Sequence, residues 1–116
     1  MNTGKRGELI AKEYFLSLGF EIVEENYRFE GAETDLIIKS EEKKQLVFVE
    51  VKTRRNKAFG TPEEAINERK QAQMVKSAEG FMMLNPGYSD YEKRFDIAAI
   101  MIEEGRAKMN HIENAF

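Results

Sequence analysis

Apolar and polar positions alternate along this chain with two different periods. From Thr3 to Leu18 the residues Ile10, Ala11, Tyr14, Phe15 and Leu18 recur at helical spacing, and Gly19 follows as a terminator. Phe20 to Val23 and Asn26 to Phe29 read as one bent strand or two short ones. Gly31 marks a turn or bulge before a β-branched run, Ala32 to Ile38. A charged break at Ser40 to Lys44 separates that run from Gln45 to Arg55, so the two form a hairpin. Thr61-Pro62-Glu63-Glu64 is a helix start, and Asn67 offers a second cap three residues before Lys70. The main helix is expected from about Glu68 to Leu84, burying Ala72, Val75, Ala78, Phe81 and Met82, and Asn85-Pro86-Gly87 ends it. Arg94 to Ile102 is mostly continuous and apolar from Phe95, as in an interior strand, and Lys108 to Ile112 pairs back after a turn at Glu103 to Arg106. The predicted fold is α/β: one domain, residues 1–116, with a mixed β-sheet flanked by α-helices.

The second strand of the hairpin holds an oddity. Its core is Leu46-Val47-Phe48-Val49-Glu50-Val51-Lys52, with two charges inside an apolar run. Alternation puts Val47, Val49 and Val51 on one face and Phe48, Glu50 and Lys52 on the other. With Glu41 to Lys44 as the loop, Ser40 faces Gln45, and the same register sets Asp35 opposite Glu50 and Glu33 opposite Lys52. Two opposed carboxylates repel. A divalent, oxygen-loving ion resolves that conflict, since Mg²⁺ is held by one or two carboxylates, waters and substrate phosphates. A lysine two residues beyond the second carboxylate can orient an attacking water or neutralise charge growing on a phosphate. Together these are the parts of metal-assisted phosphodiester hydrolysis.

Asp35 followed by Glu50-Val51-Lys52 on the next strand resembles the D…(D/E)-x-K signature of the restriction-endonuclease-like nucleases. The resemblance is closer still to one branch, the small bacterial YraN-like proteins, related to archaeal Holliday-junction resolvases. Its matching pieces are Gly7-Glu8 with Ala11, Asn26-Tyr27-Arg28, Glu33-x-Asp35-Leu36-Ile37, and Val47 to Arg54. Phe59-Gly60, Lys70, Arg94-Phe95-Asp96 and Asn114-Ala115-Phe116 complete the set, which spans nearly the whole chain in order. Thr34 departs from the aliphatic residue usual there; alternation turns it away from the acids, so packing rather than chemistry is affected.

The resemblance implies a restriction-endonuclease-like fold and an endonuclease acting on DNA, with branched or junction DNA a candidate substrate. Asp35, Glu50 and the Val51 carbonyl would bind Mg²⁺ or Mn²⁺, and Lys52 would position the nucleophile. Glu8 matches a first-helix glutamate that completes the metal site in the related resolvases, and Glu33 could support it. Read without the resemblance, Glu8 is as well explained as a first-turn acid favoured by the helix dipole. Lys70 would be an ordinary surface lysine on the residues alone; the resemblance directs it to phosphate. Arg54, Arg55 and Lys57 follow the acidic patch directly and suit backbone-phosphate contacts, with Arg28 a further candidate. Asp96 is expected in an ion pair or backbone contact, and His111, the sole histidine, in a surface or satisfied position.

Composition narrows the picture. Cysteine is absent, so there is neither a disulfide framework nor a thiolate site. The first residues lead into no apolar segment of a signal peptide, and no run approaches membrane-spanning length, so a cytoplasmic protein without a membrane partner is expected. A net charge of −3 is low for a general nucleic-acid binder. That charge keeps open an alternative, a non-catalytic nucleic-acid-binding module that retains the nuclease fold. A plain ion-pair cluster, with Lys52 balancing Glu33, leaves the opposition of Asp35 and Glu50 unexplained. A homodimer through Met83, Met101 or Tyr88 is a further expectation.

Overall fold

A computed structural model describes residues 2–55, 60, 63 and 66–116. Elements follow the order α1 (Thr3–Ser17), β1 (Glu21–Phe29), β2 (Ala32–Ser40), β3 (Gln45–Arg54), α2 (Glu68–Leu84), a 3₁₀ turn (Pro86–Tyr88), β4 (Glu92–Glu103) and β5 (Arg106–Ile112). The five strands form one sheet in the order β1-β2-β3-β4-β5. All neighbours run antiparallel except β3 and β4, which are parallel and joined by the crossover containing α2. This is the restriction-endonuclease-like α/β fold, a mixed sheet with a helix on each face.

The hairpin forms as its sequence dictates. Ser40 pairs with Gln45 and the ladder runs back through Ile37↔Phe48 to Leu36↔Val49. Tight turns close the other antiparallel pairs: Glu30 and Gly31 between β1 and β2, and Glu104 and Gly105 between β4 and β5, all with positive φ. That geometry is the I′ turn, which matches the twist of the strands it joins.

Each sheet face has its own core. Leu36, Ile38, Val47, Val49, Val51, Ala98 and Ile100 pack on Ala11 and Phe15 of α1. Ile37, Leu46 and Phe48 pack on Ala78 and Phe81 of α2. The buried stripe of α2 differs from the expected one: Met74, Ser77, Ala78, Gly80 and Phe81 are buried, whereas Ala72 is exposed and Val75 and Met82 are half-buried. Small residues decided the contact. A Cβ on Gly80 would stand 2.2 Å from the Phe29 ring, so the helix approaches β1 through its smallest side chains rather than its most apolar ones. Leu18, expected inside, caps α1 and is 52% exposed.

Thr34 also departs from expectation. It is fully buried and hydrogen-bonds Ser77 of α2, whose hydroxyl also donates to the Met74 carbonyl at 3.0 Å. At the same level of β1, Asn26 takes a positive φ of 51°, and Tyr27 and its partner Thr34 both turn toward α2. The pair before them, Glu25 and Leu36, faces α1 instead, where Lys12 binds Glu25 at 3.0 Å.

On the α1 face, Asp96 is fully buried and receives both Arg94 nitrogens (2.9 and 2.8 Å), the Asn114 amide (3.0 Å) and His111 Nε2 (2.7 Å). His111 Nδ1 meets the Tyr14 hydroxyl at 3.0 Å. Both residues are therefore satisfied structural groups, as their sequence positions suggested. Of the residues considered for an interface, Met83 is exposed, whereas Met101 and Tyr88 are half-buried, Tyr88 against Phe81 and Tyr91. No helix among the described residues is long and apolar enough to cross a membrane.

Candidate metal centre

The ladder between β2 and β3 stops at Leu36↔Val49. One step further, where the same register continued would set Asp35 against Glu50, a side chain takes over: the Val51 amide donates to Asp35 Oδ2 at 2.7 Å. Asp35 thus occupies the gap between the two strands at the point where they part.

Glu50 continues the Leu46-Phe48 row onto the α2 face and is only 4% exposed. Its Oε1 receives Lys70 Nζ at 3.1 Å, and its Oε2 is buried with no hydrogen-bond partner. Burial first, and then the nearness of Asp35, push the Glu50 carboxyl up to about 8, against the opposing pull of Lys70. A buried carboxylate oxygen without a donor, lying against a second carboxylate, is costly in a finished structure. It is the donor set a hard cation fits: two carboxylates, one with a free oxygen, beside the backbone of Val51. Among the described residues no three acidic or histidine side chains form a ready-made cage, so backbone, water and substrate oxygens would complete the shell.

Lys70 is brought to the site by α2. Asn67 caps that helix by accepting from the Lys70 amide at 3.0 Å, which aims the first turn at Glu50. Lys52 follows Glu50 on the same face, half-buried, and makes no ion pair among the described residues.

Glu8 stands on α1, on the other side of the sheet from Glu50. A Cβ on Gly7 would lie 1.8 Å from Thr53 Oγ1, so only glycine lets α1 rest this closely on β3. The neighbouring Glu8 is half-buried, and burial, followed by the Asp35, Glu33 and Glu25 charges, raises its carboxyl above the ordinary value. Gly7→Ala should therefore lose roughly 1–3 kcal/mol of stability, the usual cost of overpacking. Thr53→Ala in the same chain should recover part of that loss, a coupling that denaturant midpoints of the four proteins would measure. Strictly additive losses would remove Gly7 as the seat of α1.

Other candidates are engaged elsewhere. Glu33 pairs with Arg28 at 3.0 Å, not with Lys52, because it sits directly across β1 from that arginine. Arg28 itself is largely exposed. Arg54 is half-buried, donating to its own strand at Thr53 O (3.3 Å), and its Nε is buried without a partner. Arg55 is exposed, and Lys57 lies outside the described residues. The sequence reading missed Arg6, whose Nη2 donates to the Gly105 carbonyl at 3.0 Å. The signal for it was its place one residue before the glycine that seats the helix.

The model of the uncharacterised protein family UPF0102 matches residues 7–100, a span that holds Glu8, Asp35, Glu50, Lys52 and Lys70. The chain belongs to that family. Similar UPF0102 proteins include those of Pelobacter propionicus (42% identical, covering 99% of this chain and 82% of the relative) and Syntrophomonas wolfei (40% identical, covering 97% and 96%). Another, from Caldanaerobacter subterraneus, is 40% identical over 97% of this chain and 93% of its own length. UPF0102 proteins are YraN-like, so membership agrees with the resemblance carried by Asp35, Glu50-Val51-Lys52 and Gly7-Glu8.

Proposed function

We propose that this UPF0102 protein is a metal-dependent endonuclease that hydrolyses phosphodiester bonds, with DNA as substrate and branched or junction DNA the first form to test. One observation carries the reading: the buried, half-satisfied Glu50 held against Asp35 at a parting strand end, with two lysines on the same side. Asp35, Glu50 and the Val51 carbonyl would hold Mg²⁺ or Mn²⁺, with Glu8 supporting from α1 and Glu33 at the margin. Bound there, such an ion supplies Lewis-acid stabilisation of a phosphoryl oxygen and a more acidic water. Lys52 orients the attacking water and offsets charge growing on the phosphate. Lys70 keeps Glu50 partly neutralised and offers a second cation to the strand. Arg55 and Lys57 contact the backbone, with Arg28 and Arg54 in lesser roles because each is already engaged.

The alternative is a nucleic-acid-binding module that does not cut. The Lys70–Glu50 ion pair favours it, since it satisfies half of Glu50 without a metal. An assay on linear, nicked, flapped and four-way DNA with Mg²⁺ and Mn²⁺ separates the two. Wild-type protein is expected to cleave at least one of these. Glu50→Ala and Lys52→Ala should each lose cleavage by about 10²–10³ or more, while still binding DNA through their phosphate contacts. Wild-type binding without any cutting would favour the module; undiminished cleavage by Glu50→Ala would refute the site.

A further inference from the structure

Gly7 divides the start of α1. Successive helical residues stand about 100° apart, so Arg6 and Glu8 flank the contact on Thr53 from opposite sides. Glu8 leans toward β2, where the charges of Asp35 and Glu33 reach it. Arg6 leans toward the β4–β5 turn, where it binds the Gly105 carbonyl. There Arg6, Arg55, Ile102, Glu104 and Gly105 line a cavity of about 280 Å³. Among the described residues neither arginine is in an ion pair.

We propose that this cavity is a phosphate subsite, holding a backbone phosphate of the nucleic-acid strand whose cleavage centre is Asp35 and Glu50. It rests on the nuclease reading for its ligand. A guanidinium carries five donors in a fixed fork that matches phosphate oxygens. The Gly105 carbonyl engages one nitrogen of Arg6 and fixes the orientation of the rest, and Arg55 enters from the end of β3. The positive end of α1 is adjacent and adds to the same field. Glu104 opposes it. A carboxylate in the wall makes the cavity a poor trap for free phosphate, so occupancy depends on a polymer already held at the neighbouring site. Glu50 pairs with Ile97, and the cavity begins at Ile102, five residues further along β4. At roughly 3.3 Å per residue the cavity lies about 16–23 Å from the carboxylates, about five to seven nucleotides along one strand.

The test is DNA binding by fluorescence anisotropy across a salt series, without divalent metal so that nothing is cut. Arg6→Ala combined with Arg55→Ala should flatten the plot of log affinity against log salt by about one, the release of one phosphate contact. Arg55→Ala alone, at an exposed side chain that the fold does not need, should move the slope in the same direction. Methylphosphonate substituted at single positions should weaken wild-type binding at a phosphate about five to seven nucleotides from the centre, and the double variant should not respond there. An unchanged slope and an unchanged methylphosphonate pattern would reduce Arg6 to a latch between α1 and the β4–β5 turn and overturn the subsite. So would wild-type protein that binds no DNA. Protein that shows the expected slopes yet cleaves nothing would uphold the subsite and refute the nuclease reading.

Discussion

Glu50→Gln is expected to yield a protein that is more stable and inactive. Glutamine has the shape of glutamate, but its amide can donate to the Asp35 carboxylate, which Glu50 can do only when protonated. Lys70, partly exposed, is free to turn to solvent. Below its raised pKa of about 8, Glu50 reaches neutrality in the folded protein by holding a proton that the unfolded chain would release near 4.5. At pH 7 that difference costs on the order of 3 kcal/mol, and recovering even part of it should add roughly 1–3 kcal/mol to the unfolding free energy. Cleavage should fall by at least 10²–10³, because a neutral amide neither attracts the ion nor holds its charge. Functional sites commonly trade stability in this way. A Glu50→Gln protein less stable than wild type, by chemical denaturation at pH 7 without metal, would show that Glu50 is a satisfied structural residue.

The second large effect is on pH dependence. The folded pKa of Glu50 lies above its unfolded value, so folding favours the protonated form. Its contribution is fully present below about pH 4.5 and is lost as pH rises toward about 8. Stability of the metal-free protein should fall across that window by on the order of 3–5 kcal/mol from this group. Glu41, held down to about 2 chiefly by hydrogen bonds from Lys39 and Tyr91, loses its contribution below the window and does not mask the effect. Millimolar Mg²⁺ or Mn²⁺ should raise the unfolding temperature at pH 8, where the carboxylates are free to bind it, and leave it unchanged at pH 5. Subtracting the same titration of Glu50→Gln isolates the residue. An equal effect of metal at both pH values would place the binding elsewhere on the protein.

Much of the hairpin was legible in the chain. Its loop is all charged and its flanks are β-branched, so turn position and strand register followed together, from Ser40 opposite Gln45 to Leu36 opposite Val49. Glu50 stood out because an acid inside an apolar strand needs a reason. The face of Thr34 was not legible, because alternation assumes an unbroken pleat and Asn26 breaks it with a left-handed residue. Nor was the packing of α2: hydropathy ranks Val75 and Met82 above Ser77 and Gly80, while close approach rewards the small residues. Charges were the least predictable. Arg28 and Glu33 lie five residues apart and found each other across a turn, which removed Glu33 from Lys52. Arg54 looked like part of a solvated basic cluster, but its strand carries it partly inside.

The crossover between β3 and β4 has a consequence for assembly. Asp35 and Glu50 meet through a hairpin whose closure is local, while Gln45 and Glu92, the first pair of the parallel ladder, must find each other across 47 positions. Contacts of long separation form against a larger loop entropy and come later. The two carboxylates are therefore neighbours while that end of the hairpin is still wet, when water screens them and their proximity costs little. Lys70 arrives only with α2, and the same docking dries the face it joins. Repulsion and relief reach the site in one step, so the electrostatic cost falls on the completion of the fold and not on its nucleus.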